Sequence, residues 1–175
     1  MKGTISMKGK NVILIGMPGV GKSSAGVVLA KVLGYKFADS DLIIQEKSGM
    51  LLNEIINEKG IDGFIQTENN VNKALDMENT VIATGGSAIY GQEAMEHLKE
   101  IGTIVYLKAS YEDIKERIGD LKDRGVIVKE GQSLRELYDE RVPLYEKYAD
   151  ITVEEKEQGI RETVRMIEGL LKQNV

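Results

Sequence analysis

The chain has 175 residues, a length that suits one compact domain and excludes two ordinary ones. Hydrophobic residues at 42% and charged residues at 29% exclude a disordered tail or a membrane protein, and a net charge of −5 argues against a general binder of nucleic acid or anionic membranes. The absence of cysteine excludes disulfides, thiolate metal sites and thiol catalysis together.

The opening stretch MKGTISMKGK has no apolar signal-peptide core and no apolar run is long enough to span a membrane, so a cytoplasmic protein is expected. Asn11-Val-Ile-Leu-Ile15 is a short apolar run closed by glycine and predicts a buried strand. From Ser23 to Leu33, Ala25, Val28, Leu29, Val32 and Leu33 fall at helical spacing, and Gly34 stops the helix. A second strand is expected at Tyr35–Ala38, followed by helices over 42–47, 51–59 and 64–75, punctuated by Gly49 and Gly60. Thr80–Ala83 reads as another buried strand, Gln92–Glu100 as a helix, Thr103–Leu107 as a strand and Tyr111–Ile118 as a helix. Residues 119–132 are polar, dotted with glycine and carry no clear period. Leu134–Tyr148 is helical around Pro143, Ile151–Val153 is the last strand, and Ile160–Leu171 a closing helix. Strands alternating with helices imply parallel βαβ units with helices on both faces of one sheet, an α/β fold. In such sheets ligands bind at the carboxyl ends of the strands, so the chemistry is to be sought just after residues 15, 38, 83 and 107.

Directly after the first strand comes Gly16-Met-Pro-Gly-Val-Gly-Lys22-Ser23, a full match to the phosphate-loop pattern G-x-x-x-x-G-K-[ST]. Residue frequencies produce this pattern by chance in on the order of one chain per hundred of this length, before the strand–loop–helix context is required. Its physics is a nest of backbone N–H groups at a helix N-terminus, where the dipole favours negative charge. Gly16, Gly19 and Gly21 let the backbone turn and approach the phosphates without a Cβ in the way. Lys22 reaches the β- and γ-phosphates as a point charge, and the Ser23 hydroxyl binds Mg²⁺. The nucleotide-binding set is Gly16, Gly19, Val20, Gly21, Lys22, Ser23 and Ser24.

After the second strand, Phe37-Ala-Asp39-Ser-Asp41 places two carboxylates beside that loop. One suits Mg²⁺ through its waters, the other the proton of an incoming hydroxyl; taken alone, Asp41 could instead cap the helix starting near Leu42. After the third strand, Thr84-Gly85-Gly86-Ser87 fits close backbone approach to a ligand or a tight turn. A GTPase would carry an Asn-Lys-x-Asp guanine reader, which is absent, and a motor ATPase far more chain. Size and motifs point to a small-molecule kinase.

Gly16 to Ser23, Phe37-x-Asp39-x-Asp41, Thr84-Gly-Gly and Arg141-Val-Pro-Leu-Tyr145, in this order, resemble the shikimate kinase family from about Asn11 to Val153. The resemblance implies a P-loop kinase fold of the nucleoside monophosphate kinase class, with a five-stranded parallel sheet and a mobile lid. On that layout residues 11–41 and 77–118 form the core, about 42–76 the substrate-binding helical segment and about 119–132 the lid. It further implies transfer of the γ-phosphoryl of ATP, with Mg²⁺, to a hydroxyl of shikimate. Asp41 would orient and deprotonate that hydroxyl, Asp39 hold a magnesium water, Gly85 and Gly86 offer backbone to the substrate, and Arg141 pair with its carboxylate. Arg124 would be the lid arginine that closes on the phosphates, and Arg117 would lie along the adenine. Without the family, Arg124 is an ordinary loop charge and Arg117 a helix residue pairing with Asp113.

Two departures fall on the substrate side. Where the family carries F-R-x-x-E, this chain reads Phe64-Ile65-Gln-Thr-Glu68, so a second arginine for the substrate carboxylate is replaced by Ile65. The family's third glycine is Ser87, and the lid's Arg-Pro is Arg124-Gly125. The acceptor is therefore shikimate or another small hydroxylated compound, a sugar acid or polyol as for the gluconate kinases. A non-catalytic nucleotide-binding regulator is the reading from another class. A nucleoside monophosphate kinase is disfavoured, because residues 42–76 offer Lys47, Lys59 and Lys73 but no arginine to grip a monophosphate. A monomer acting on a small-molecule substrate, without nucleic acid or membrane, is the expectation. His97 is read as a surface helix residue, and Tyr138, Tyr145 and Tyr148 as core packing. Val153-Glu-Glu stands where the family often has V-D-T beside the adenine.

Overall fold

Strand β1 (Asn11–Ile15) is buried along its whole length and forms the middle of the sheet, as its uninterrupted apolar run requires. The protein is described by a computed structural model over residues 11–119, 126–156 and 158–174. The other strands are β2 (Lys36–Asp39), β3 (Thr80–Ala83), β4 (Gly102–Lys108) and β5 (Ile151–Glu154). They lie in the order β2-β3-β1-β4-β5, all parallel, with Leu14 level with Ala83 on one side and Val105 on the other. Buried Asn11 locks the amino-terminal edge: its Nδ2 donates to Met77 O (2.6 Å) and Ile101 O (2.9 Å), and its Oδ1 accepts from Thr80 N (3.1 Å).

The helices are α1 (Lys22–Leu33), α2 (Ser40–Ser48), α3 (Leu52–Lys73), α4 (Gln92–Ile101), α5 (Tyr111–Ile118), α6 (Leu134–Tyr148) and α7 (Gly159–Gln173). Helices α1 and α7 pack together, as do α3 and α4. The parallel α/β fold expected from the alternating pattern, and the five-stranded sheet that the resemblance implies, are both observed. From β1 the chain crosses over β3 to reach β2, and from β3 it crosses over β1 to reach β4, so the switch point lies between β1 and β3. The phosphate loop and Thr84-Gly85-Gly86 flank that point.

Several boundaries shift for local reasons. Tyr35 precedes β2 and its N–H closes α1 on Ala30 O, so the strand starts one residue later than expected. The helices expected over 51–59 and 64–75 form one element, α3, broken at Gly60, whose φ of 72° is not helical. A short 3-10 turn at Ala88–Tyr90 follows the glycine pair, where none was expected. Within the expected lid, residues 120–125, Arg124 and Gly125 among them, lie outside the described residues. Its remaining part, 126–132, places buried Ile127 in a small apolar cluster with Ile44, Ile55, Phe64 and Val71, apart from the main core on the sheet. No helix among the described residues is long and apolar enough to cross a membrane.

Candidate active site

Two cavities share a wall at the carboxyl ends of β1, β2 and β3. One, of about 300 Å³, runs along the phosphate loop past Gly19, Gly21, Lys22, Ser23 and Ser24. The other, of about 70 Å³, is closed by Leu52, Phe64, Ser87, Ile127 and Arg141. Pro18, Asp41, Gly85 and Gly86 line both, so they stand where a donor phosphate and an acceptor would meet. A groove of about 670 Å³ at the start of β2 and β3 carries no comparable convergence of donors and charges. At the position expected after residue 107, the end of β4 meets the phosphate loop. There Leu107 O supports the phosphate loop, 2.6 Å from where a Cβ on Gly16 would sit, and Gly16 has a φ of 151° closed to other residues.

Helix α1 begins at the phosphate loop, with Gly21 (φ 101°) in the capping position. Lys22 folds back over the loop and its Nζ donates to Gly16 O (2.7 Å) and Met17 O (2.9 Å). Burial pulls the Lys22 ammonium down to about 8, against the attraction of Asp41. Ser23 Oγ donates to Asp39 Oδ2 at 2.8 Å, and Asp41 N donates to Asp39 Oδ1 at 3.0 Å. Asp39 is thus the cap of α2, a role the sequence reading weighed for Asp41. Released from capping, the Asp41 carboxyl points at Gly85, and burial followed by the charge of Asp39 pushes it up to about 6, with Lys22 opposing.

Arg141, on α6, is 1% exposed. Its Nη2 donates to Ile127 O (2.8 Å), its Nε to Tyr90 Oη (3.4 Å), and the Tyr90 ring lies beneath the guanidinium at 5.4 Å. Its Nη1 is aimed at Gly86, 3.0 Å from where a Cβ would stand. Tyr90 in turn donates to Glu140 Oε1 at 2.7 Å. Arg117 lies outside both cavities: its Nη1 donates to Val20 O (3.3 Å) and Glu155 Oε2 (3.4 Å), tying the loop to the turn after β5 rather than pairing with Asp113. Ile65 is half-buried on α3 and belongs to neither apolar cluster. Three further groups border the site, none given a role by the sequence alone. Tyr145, taken as core packing, stacks on Tyr106 at 5.1 Å but also donates its hydroxyl to Gly86 O at 2.6 Å, holding the glycine shelf. Tyr90 follows the glycine pair with no spacing that marks it. Glu68, 2% exposed, accepts from Ser87 Oγ at 2.6 Å, and burial pushes its carboxyl up to about 7 against that hydrogen bond. His97 is half-buried and bonds Leu75 O at 2.7 Å, away from the site.

A protein-family model described as shikimate kinase matches residues 18–171. The chain belongs to the shikimate kinase family. It is 35% identical over 167 residues to the shikimate kinase of Thiobacillus denitrificans, covering 94% of this chain and 91% of that one. Among solved structures it is similar to shikimate kinase from Acinetobacter baumannii in complex with shikimate (TM-score 0.86, 35% identity, 94% of each chain). It is also similar to that from Aquifex aeolicus vf5 (TM-score 0.82, 34% identity, 94% and 97% covered). As a member of this family it is a small-molecule kinase that phosphorylates a hydroxyl group.

Proposed function

We propose that the protein transfers the γ-phosphoryl of ATP, with Mg²⁺, to a hydroxyl of shikimate to give shikimate 3-phosphate. The observation that carries this reading is the arrangement at the shared wall, where Asp41 lies between the phosphate loop and the Gly85–Gly86 shelf that Arg141 faces. The likeness to a shikimate kinase holding shikimate supports the choice of acceptor.

The donor set fits magnesium: a hydroxyl and a carboxylate oxygen 2.8 Å apart are hard ligands, and Mg²⁺ characteristically takes its remaining positions from phosphates and waters. Ser23 would hold the ion directly and Asp39 through a water. Bound there, Mg²⁺ neutralises charge on the phosphates during transfer. Lys22 adds the second positive charge at the mouth of the loop. Asp41 orients the acceptor hydroxyl in line and takes its proton, a task suited to a carboxyl poised at about 6. Gly86 presents its backbone to the acceptor, and Arg141, held by Tyr90 and Ile127, directs Nη1 at the acceptor's carboxylate. Arg117 steadies Val20 at the edge where the base would lie.

A second reading, a sugar acid or polyol as acceptor, is favoured by one observation: the family's second arginine is Ile65 here, and Arg141 already uses two of its nitrogens on the protein. The test is a coupled ADP-release assay with shikimate, gluconate, polyols, homoserine and nucleoside monophosphates. Magnesium-dependent release that is fastest with shikimate is expected. A higher kcat/KM with any other acceptor overturns the assignment.

A further inference from the structure

Glu140 and Arg141 are neighbours on α6, and side chains one residue apart on a helix do not face each other. The two are nevertheless joined, by a route through other elements. Glu140 Oε1 accepts from the Tyr90 hydroxyl (2.7 Å), and that hydroxyl accepts from Arg141 Nε (3.4 Å). Glu140 Oε2 accepts from Gln132 Nε2 (2.8 Å), and Gln132 closes a turn on Lys129 by donating its own N–H to Lys129 O (3.0 Å) and accepting Lys129 N–H at its Oε1 (3.3 Å). Arg141 Nη2 reaches the same segment at Ile127 O (2.8 Å). Val126 and Ile127 line the smaller cavity together with Arg141. The bonds form a closed circuit, running from the arginine through Tyr90, Glu140 and Gln132 and back to the arginine by way of the cavity wall.

We infer that Glu140 is a positioning residue for acceptor recognition: it fixes Tyr90, and through Tyr90 the direction of the Arg141 guanidinium, so that Nη1 is presented to an acceptor that carries a carboxylate. Glu140 lines neither cavity, and its effect on the acceptor runs through Tyr90 and Arg141. Arg141 is buried and forms no ion pair among the described residues. A carboxylate bonded directly to the guanidinium would neutralise it and compete with an anionic acceptor. The phenol standing between them avoids this. It passes on orientation while leaving the cation's charge for the ligand, and a hydroxyl that donates to a carboxylate is a stronger acceptor for Nε. Through its second oxygen Glu140 also holds Gln132, so the arginine and the wall beside it keep one spacing.

This inference rests on the acceptor site proposed above. The test is steady-state kinetics of the full chain on shikimate and on shikimamide, in which a neutral amide of the same shape replaces the carboxylate. The parent should lose about a hundredfold in kcat/KM on the amide. Glu140→Ala should raise the KM for shikimate about tenfold, with kcat within about threefold and the KM for ATP unchanged. Its kcat/KM on shikimamide should stay within about threefold of the parent's, so the discrimination shrinks about tenfold. Glu140→Gln, whose amide oxygen still accepts from Tyr90, should recover most of the loss. Tyr90→Phe keeps the ring and should match Glu140→Ala, and the double variant should be no worse than either single one. The two single variants read the same contact, so the test survives the failure of one of them to fold. A merely structural Glu140 would lower both acceptors alike, which overturns the inference, as do additive losses in the double variant. A parent that releases no ADP with shikimate, or uses shikimamide equally well, overturns the acceptor reading and this inference with it. A parent that discriminates, with its ratio unmoved in Glu140→Ala, overturns this inference alone.

Discussion

Ser23 Oγ and Asp39 Oδ2 meet at 2.8 Å, joining the first turn of α1 to the end of β2 across β3, which lies between their strands. The same Asp39 caps α2 through its other oxygen, so one carboxylate serves the proposed metal site and the helix that carries Asp41.

Substitution at Asp39 can separate these roles, because asparagine is as good a cap as aspartate but lacks its charge. Asp39→Asn should raise the Mg²⁺ concentration for half-maximal activity by about 10–100-fold with little change in melting temperature. Asp39→Ala should do the same and also lose about 0.5–2 kcal/mol of stability. Magnesium titrations and thermal melts of the two variants check this.

Asp41 should set the acid limb of the pH profile. Since its carboxyl is pushed up to about 6, kcat/KM should fall as pH drops through that value. Asp41→Asn should cost about 10²–10⁴-fold in kcat. Stability runs the other way. The unfolded chain releases this proton near 3.8 and the folded chain near 6, so the group's contribution declines as pH rises through that window. Asp41→Asn should therefore melt higher than the parent at pH 7 yet be nearly inactive, which differential scanning of both proteins at pH 5 and pH 8 would reveal.

Gly85 is required for space, not for backbone freedom, because its φ is not in the left-handed region. An added Cβ would stand 2.6 Å from Asp41 Oδ1 and 2.9 Å from Glu68 Oε2. Gly85→Ala should displace both carboxyls, lower acceptor-dependent turnover by about 10²-fold and destabilise the fold by about 1–3 kcal/mol. Its KM for ATP should move much less, and steady-state kinetics with each substrate varied in turn would separate the two.

Ile65→Arg tests the departure from the family's F-R-x-x-E run, at a residue of α3 that is not among those lining either cavity. Half-buried and outside both apolar clusters, Ile65 is removable at little cost, and an arginine there lies one turn from the unpaired oxygen of Glu68. The variant should bind shikimate about 10–100-fold more tightly, as expected for a new charged contact, with uncharged polyols unaffected. An unchanged KM for shikimate would place Ile65 away from the acceptor carboxylate.

The amino-acid sequence by itself determined the parallel sheet, the order of its elements along the chain and the phosphate loop. Those signals are local: an apolar run such as Asn11–Ile15 has one buried solution, and the phosphate loop is a contiguous stretch whose chemistry is its own backbone. The acceptor side depended on contacts between distant segments. Ser87 and Glu68 are 19 residues apart, Tyr145 and Gly86 59 apart, and no spacing or periodicity announces either hydrogen bond. Nor could the sequence say which aspartate caps α2, since both Asp39 and Asp41 suit the task and the decision came from where Ser23 sits after the sheet has closed. Glycine at 85 and 86 was legible as permission for close approach; only the folded chain showed that the approaching groups are two carboxyls and a buried arginine.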